Sequence, residues 1–94
     1  MFTITVNDTG VIVMTGRFDA AQTDRAREVF SRLNESARVD MSRLDYISSA
    51  GLGVLLATQQ RLTKEGKSLT LLHMNKMIRE VFKIARFDLI FKIE

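Results

Sequence analysis

Two adjacent serines, Ser48 and Ser49, are the residues of this sequence best placed to do chemistry. They follow an extended segment and precede a run of apolar residues at helical spacing, so they lie at a predicted helix start. The free N–H groups and aligned peptide dipoles of a helix start favour negative charge. A serine there is therefore either a helix cap or an acceptor for phosphate, which adds about −1.5 to −2 charges at neutral pH.

Small residues follow the two serines. Because Ala50, Gly51 and Gly53 carry little bulk, they are expected to leave the N–H groups of the helix start accessible. A second interpretation is that the two glycines let the helix pack closely against a sheet. The segment lacks both Gly-x-Gly-x-x-Gly and a Walker-type Lys, so nucleotide binding has little support.

An enzyme that used Ser48 or Ser49 as its nucleophile would need a positioned base. The single histidine, His73, lies in another segment at the end of a predicted strand, and we expect it to be a loop residue. The sequence has no Cys, which excludes disulfides, thiolate metal sites and a cysteine nucleophile. We therefore predict no catalytic residue, no metal site and no cofactor.

The 94 residues, 46% of them apolar and 27% charged, are typical of a single globular domain spanning residues 1–94. The longest apolar runs fall far short of the ~20 residues that a membrane span needs. The first residues lack the basic and apolar regions of a signal peptide. We therefore expect a cytoplasmic protein that does not insert into membranes.

The net charge of +3 is unevenly distributed, since residues 61–94 hold eight Lys and Arg against four Asp and Glu. A basic C-terminal third could face an acidic partner. Solvated helix faces are the simpler explanation. The dense basic stripe or recognisable module of a nucleic-acid-binding protein is missing, so no nucleic-acid partner is predicted.

The hydrophobic pattern switches repeatedly between period two and period 3.6, which predicts the order β-β-α-β-α-β-α-β. Predicted strands cover residues 2–6, 11–16, 37–41, 68–72 and 87–93. Residues 44–47 are expected to be a turn into an extended approach. Strands separated by helices imply parallel crossovers in one sheet. The predicted fold is a small α/β domain whose mixed four- or five-stranded sheet packs against three or more helices.

Each predicted helix has one apolar face. These faces are Ala26, Val29, Phe30 and Leu33; Leu52, Leu55, Leu56 and Leu62; and Ile78, Val81, Phe82 and Ala85. Residues 34–36 are expected to end the first helix and Gly66 the second, while Asn75 caps the third. Asp19 or Thr23 is expected to cap the first helix, with contact to a partner as a second role for Asp19. Gln59 and Arg61 are expected on the outer face of the second helix.

The segment around the serines resembles the signature of the STAS family, specifically of the bacterial anti-sigma-factor antagonists. Residues 40–42 (Asp-Met-Ser) match its Asp-Leu-Ser opening, and residues 46–47 (Tyr-Ile) match an aromatic-apolar pair. Residues 51–56 (Gly-Leu-Gly-Val-Leu-Leu) match its end closely. Residues 15–19 (Thr-Gly-Arg-Phe-Asp) resemble the family's Thr-Gly-Glu-Leu-Asp, and residues 66–71 and 81–87 resemble further parts. The resemblance covers nearly the whole chain.

The resemblance implies a phosphorylation site. The family's phosphorylated serine lies two residues before the first Gly of Gly-Leu-Gly, which corresponds to Ser49 here. Ser48, the second choice, stands where many members have Asp, and Ala50 stands where they have Ser or Thr. The implied partner-binding residues are Asp19, Ser48, Ser49, Ala50, Gly51, Leu52 and Gly53.

The resemblance also implies a mechanism, a partner switch without catalytic activity. The unmodified protein would bind an anti-sigma factor, which is an ATP-dependent serine kinase, and so free the sigma factor. Phosphorylation of Ser49 by that kinase would release the complex, and a serine phosphatase would reset the switch. The alternative within this family is an accessory subunit of a lipid-transport ABC complex, or another STAS scaffold, in which the serine is structural.

Two further features differ from the family pattern. Arg86 stands where members often have Gly to end the last helix, so we expect this helix to end differently. The sequence ends at Glu94, without the final helix that many members have.

Overall fold

A five-stranded mixed sheet forms the centre of the computed structural model, which describes all 94 residues. Its strands, in spatial as well as sequence order, are β1 (Phe2–Val6), β2 (Ile12–Phe18), β3 (Ala37–Ile47), β4 (Leu69–Leu72) and β5 (Lys92–Ile93). The helices are α1 (Thr23–Phe30), α2 (Ser49–Thr63) and α3 (Lys76–Ile84). Short 3₁₀ turns cover Ala20–Gln22 and Phe87–Leu89. The predicted element order and α/β class are confirmed.

The connections explain the strand directions. β1 and β2 form an antiparallel hairpin, whereas β2, β3, β4 and β5 are parallel because a helix separates each from the next. Paired inward positions such as Ile12 with Val39, and Val39 with Leu71, are fully buried. Buried side chains of all three helices join the same core. The opposite face of the sheet carries mostly polar residues, Thr3, Thr15 and Arg17 among them.

β3 is longer than predicted, since residues 44–47 continue the strand of residues 37–41. Two register shifts against β2 each insert one extra residue into β3, as β-bulges do. As a result Met41, Leu44 and Ile47, which are three residues apart, all point into the core. The expected turn at residues 44–47 was wrong because the bulges replace the period of two on which strand prediction depends.

Asp40 stabilises the first bulge. Its Oδ1 accepts a hydrogen bond from the Ser42 amide at 2.9 Å. This bond lowers the pKa of the Asp40 carboxyl below its usual value, and the nearby Arg43 guanidinium contributes further. The carboxylate is therefore held in its charged form at the point where the strand changes register.

Two helix ends agree with the sequence and one does not. The Asn75 side chain accepts from the Ile78 amide at 2.8 Å, and Gly66 follows α2 with φ of 74°. α1 ends at Phe30, before the predicted residues 34–36, although Leu33 still packs on the core.

The predicted last strand, residues 87–93, is mostly wrong. Its first half is the 3₁₀ turn, and only Lys92–Ile93 pairs with β4. The reason is aromatic packing: Phe87 and Phe91 both contact Phe82, with ring centroids 6.3 and 5.9 Å away. The helical turn brings the Phe87 and Phe91 rings to 6.2 Å from each other, whereas an extended strand would hold residues four apart about 13 Å from one another.

Arg86 ends α3 in the left-handed conformation, with φ of 62° and ψ of 22°. We expected α3 to end differently because residue 86 is Arg and not Gly. This expectation was wrong, since Arg86 itself adopts the left-handed conformation that favours Gly. A side chain with a Cβ costs about 1–2 kcal/mol there. Arg86 is exposed, so no buried contact compensates for this cost.

We predict that Arg86→Gly raises the free energy of unfolding by about 0.5–1 kcal/mol, since the strain relieved exceeds the entropy that Gly adds to the unfolded chain. Arg79→Gly, at an exposed position inside α3, is the matched control and should lower it by about 1 kcal/mol. Urea titration followed by circular dichroism measures both. Destabilisation by both substitutions would contradict the assigned strain.

Candidate functional site

The turn from β3 into α2 brings the predicted site residues together at the carboxyl ends of two strands. Phe18 and Ile47 are register partners, so the residues that follow them, Asp19 and Ser48, lie at the same edge of the sheet. The Ser48 amide donates to the Phe18 carbonyl at 2.9 Å. This bond ties the start of α2 to the end of β2.

Ser48 is the cap of α2. Its backbone is extended, with φ of −86° and ψ of 168°, and its Oγ accepts a hydrogen bond from the Gly51 amide at 3.1 Å. The bond satisfies one of the N–H groups that a helix start leaves without a partner. The Ser48 hydroxyl is half-buried and already engaged.

Ser49 is the first residue of α2, and its side chain is exposed. Its hydroxyl takes no part in the cap, which Ser48 provides alone. Ala50, the next residue, is also exposed. Ser48 therefore provides the cap, and the Ser49 hydroxyl is exposed and forms no hydrogen bond within the chain.

The two glycines of the segment differ in role. Gly51 is buried, and a Cβ there would lie 3.0 Å from Ile47 Cγ1 and 3.1 Å from Phe18 Cγ. The packing interpretation therefore holds for Gly51, whose lack of a side chain lets α2 approach the sheet. Gly53 is exposed, with no atom within 4 Å of a Cβ built there. Only Gly53 leaves an open surface.

Asp19 is half-buried beside this turn, and its Oδ1 accepts from the Ala21 amide at 3.1 Å. It therefore caps the 3₁₀ turn that leads into α1, whereas α1 itself begins after Gln22 without a side-chain cap, so the predicted cap of the first helix by Asp19 or Thr23 was wrong. Among the predicted partner-binding residues, Leu52 and Gly51 are buried. The accessible part of the predicted surface consists of Asp19, Ser48, Ser49, Ala50 and Gly53.

The predicted outer-face positions of Gln59 and Arg61 are wrong. Gln59 is buried: its Nε2 donates to the Ile90 carbonyl at 3.0 Å and its Oε1 accepts from the Leu69 amide at 2.8 Å. Arg61 donates to the Phe30 carbonyl at 2.8 Å, and to that of Leu33 at the same distance. Both side chains bind backbone groups of neighbouring segments, so their roles are structural.

A signal for Gln59 was present in the sequence. It lies four residues after Leu55 and three before Leu62, which places it within the apolar face of α2. A polar residue at such a position must find hydrogen-bond partners inside the protein. The polarity of Gln59 favours a solvent-exposed position, whereas its spacing from Leu55 and Leu62 indicates a position in the core.

The remaining residues considered for chemistry lie apart from this turn. His73 follows β4 in a left-handed conformation, with φ of 57°, and is exposed in a loop as expected. The structure contains no group of three or more His, Asp or Glu residues arranged to hold a metal ion. None of its helices combines the length and the apolar character needed to cross a membrane.

Comparisons with known proteins agree with the fold. Residues 3–92 match the sequence model of a family described as "Mlab, STAS domain". Over 55 residues, or 58% of this chain, the sequence is 44% identical to Bordetella bronchiseptica BtrV, which is provisionally named an anti-sigma factor antagonist. The matched segment spans 47% of BtrV, or about half the length of that relative.

The fold is similar to that of solved anti-sigma factor antagonists. A structure from Mycobacterium paratuberculosis has a TM-score of 0.81 at 18% identity, covering 99% of this chain and 83% of that one. Unphosphorylated SpoIIAA has a TM-score of 0.73 at 18% identity, covering 100% of this chain and 87% of its own. Its phosphorylated form, from Bacillus, has a TM-score of 0.71 at 18% identity, covering 100% and 91%.

The division of roles between the two serines gives a stability prediction. Ser48→Ala should lower the free energy of unfolding by about 1 kcal/mol, because the Gly51 amide loses its partner. Ser49→Ala should change it by less than about 0.5 kcal/mol, since its hydroxyl bonds to nothing within the chain. Urea unfolding of the two variants measures the difference. Equal losses would contradict the assignment of the cap to Ser48.

Proposed function

This chain belongs to the STAS domain family, and we propose that it is an anti-sigma factor antagonist whose binding is controlled by phosphorylation of Ser49. In its unmodified form it binds an anti-sigma factor that is also an ATP-dependent serine kinase, which frees the sigma factor. Such an exchange belongs in the cytoplasm, where transcription takes place. The chain itself is a binding partner and a phosphate acceptor, not a catalyst.

The observation that carries this proposal is the free, exposed hydroxyl of Ser49 at the start of α2. A kinase can reach it without breaking the cap, because Ser48 holds the Gly51 amide. The occurrence of SpoIIAA in unphosphorylated and phosphorylated forms, both similar in fold to this chain, adds support.

The proposed reaction is a simple phosphoryl transfer. The Ser49 oxygen forms a bond to the γ-phosphorus of ATP, the bond between that phosphorus and the bridging oxygen breaks, and ADP leaves. The hydroxyl proton passes to a base of the kinase. A serine phosphatase later hydrolyses the phosphoserine and restores the hydroxyl.

Phosphorylation would prevent binding through charge. The accessible surface around Ser49 becomes buried when the partner binds, and a phosphate there adds about −1.5 to −2 charges. A buried charge without a partner costs several kcal/mol, and each ~1.4 kcal/mol weakens affinity tenfold. In the free domain the helix N-terminus stabilises the phosphate by about 0.3–1 kcal/mol. The modification therefore opposes the complex and not the fold.

Incubation with the cognate anti-sigma kinase and ATP, followed by mass spectrometry of the fragments, tests the site. We predict one phosphate, on Ser49. Ser48→Ala, the matched control, should still be modified at Ser49, because removal of the Ser48 hydroxyl affects only the helix cap. Ser49→Ala should take up no phosphate and should keep the kinase bound in the presence of ATP, whereas Ser49→Asp should bind poorly.

Phosphate found only on Ser48 or Ser42, or none on the wild-type chain, would contradict the proposed switch. Co-purification of the unmodified chain with the ATPase subunit of a lipid-transport ABC complex would favour the alternative, an accessory subunit with a structural serine. Gene order also distinguishes the two: a neighbouring kinase or phosphatase gene favours the switch, and permease genes favour transport.

A further inference from the structure

Arg17 and Tyr46 form a stacked pair on the sheet, next to the candidate site. The Arg17 guanidinium carbon lies 4.3 Å from the centroid of the Tyr46 ring, within the range of a cation–π contact. The two residues are register partners on β2 and β3. Both are exposed, Tyr46 with 37% of its surface accessible.

The direction of the pair follows from the strand geometry. Phe18 and Ile47, the residues that follow Arg17 and Tyr46, point into the core. Side chains alternate along a strand, so Arg17 and Tyr46 lie on the opposite, outer face. They stand two residues before Asp19 and Ser48 respectively. The pair therefore lies within two residues, along both strands, of the sheet edge at which α2 and Ser49 begin.

The charge of Arg17 has no partner within the chain. The three ion pairs of the protein join Arg27 to Asp24, Arg32 to Glu28 and Lys67 to Glu35. The guanidinium lies over the Tyr46 ring, the Arg17 side chain is exposed, and its N–H groups have no hydrogen-bond partner within the chain. Such a planar fork matches a carboxylate, which can accept two of these hydrogen bonds at once.

We propose that the Arg17–Tyr46 pair binds a carboxylate side chain of the anti-sigma factor and so determines which anti-sigma factor this chain recognises. The inference rests on the proposed function. Stacking restricts the Arg17 side chain before binding, which lowers the entropy lost on complex formation. Arg and Tyr are also enriched among the residues that dominate the energy of protein interfaces.

The test is the affinity of the anti-sigma factor for unphosphorylated variants, measured by isothermal titration calorimetry. Arg17→Glu should weaken binding by at least about tenfold, because it sets two carboxylates against each other. Arg38→Glu is the matched control: it makes the same charge change at an exposed position at the start of β3, far from Ser49. It should change affinity by less than about twofold.

A second pair of variants separates stacking from charge. Tyr46→Phe keeps the ring and should bind like the wild type, whereas Tyr46→Ala frees Arg17 and should weaken binding by about threefold or more. Circular dichroism and urea midpoints establish that each variant is folded. Wild-type affinity in Arg17→Glu, or equal losses in Arg17→Glu and Arg38→Glu, would overturn the inference.

The outcomes also separate this inference from the proposed function. If the wild-type chain does not bind the anti-sigma factor, or binds it equally well after phosphorylation of Ser49, the proposed function fails and the inference fails with it. If the wild type shows phosphorylation-dependent binding and Arg17→Glu binds just as well, only the role of Arg17 is wrong.

Discussion

The close contact between the start of α2 and the ends of β2 and β3 is the constraint on which the candidate site depends. Because Gly51 has no Cβ, α2 packs so closely against Phe18 and Ile47 that a Cβ at this position would have little room. Ser48 then bonds in two directions, through its amide to β2 and through its hydroxyl to α2. With these positions fixed, Ser49 becomes the first residue of the helix, and its side chain is exposed.

In the proposed switch, the structural role and the regulatory role fall to two adjacent serines. A cap contributes about 1 kcal/mol, which matters in a domain whose total stability is typically 5–15 kcal/mol. If one hydroxyl had to serve as both cap and phosphate acceptor, each modification would remove a stabilising hydrogen bond. With the cap on Ser48, a phosphate added to Ser49 would change the surface that a partner meets and would leave the fold in place. Ser48 is neutral where many family members have Asp. Asp19, however, places a carboxylate at the same edge of the sheet.

Local pattern predicted the order of elements, the mixed sheet and the cap at Asn75, because these depend on neighbours within one or two turns. It failed where distant contacts decide. The bulges of β3 turn Met41 and Leu44, which are three residues apart, toward the same core, whereas a regular strand would place them on opposite faces. Packing of Phe87 around Phe82 replaced a predicted strand with a 3₁₀ turn. The sequence identified the pair of serines, but only the three-dimensional arrangement determines which of them caps.

The central claim is that phosphate on Ser49 prevents binding without unfolding the domain. Its most direct test compares the purified phosphoserine form with the unmodified form in two measurements, affinity for the anti-sigma factor and free energy of unfolding. We predict an affinity at least about a hundredfold lower, which corresponds to about 2.8 kcal/mol, and an unfolding free energy changed by less than about 1 kcal/mol. Unchanged affinity, or a loss of stability large enough to account for the lost binding, would contradict it.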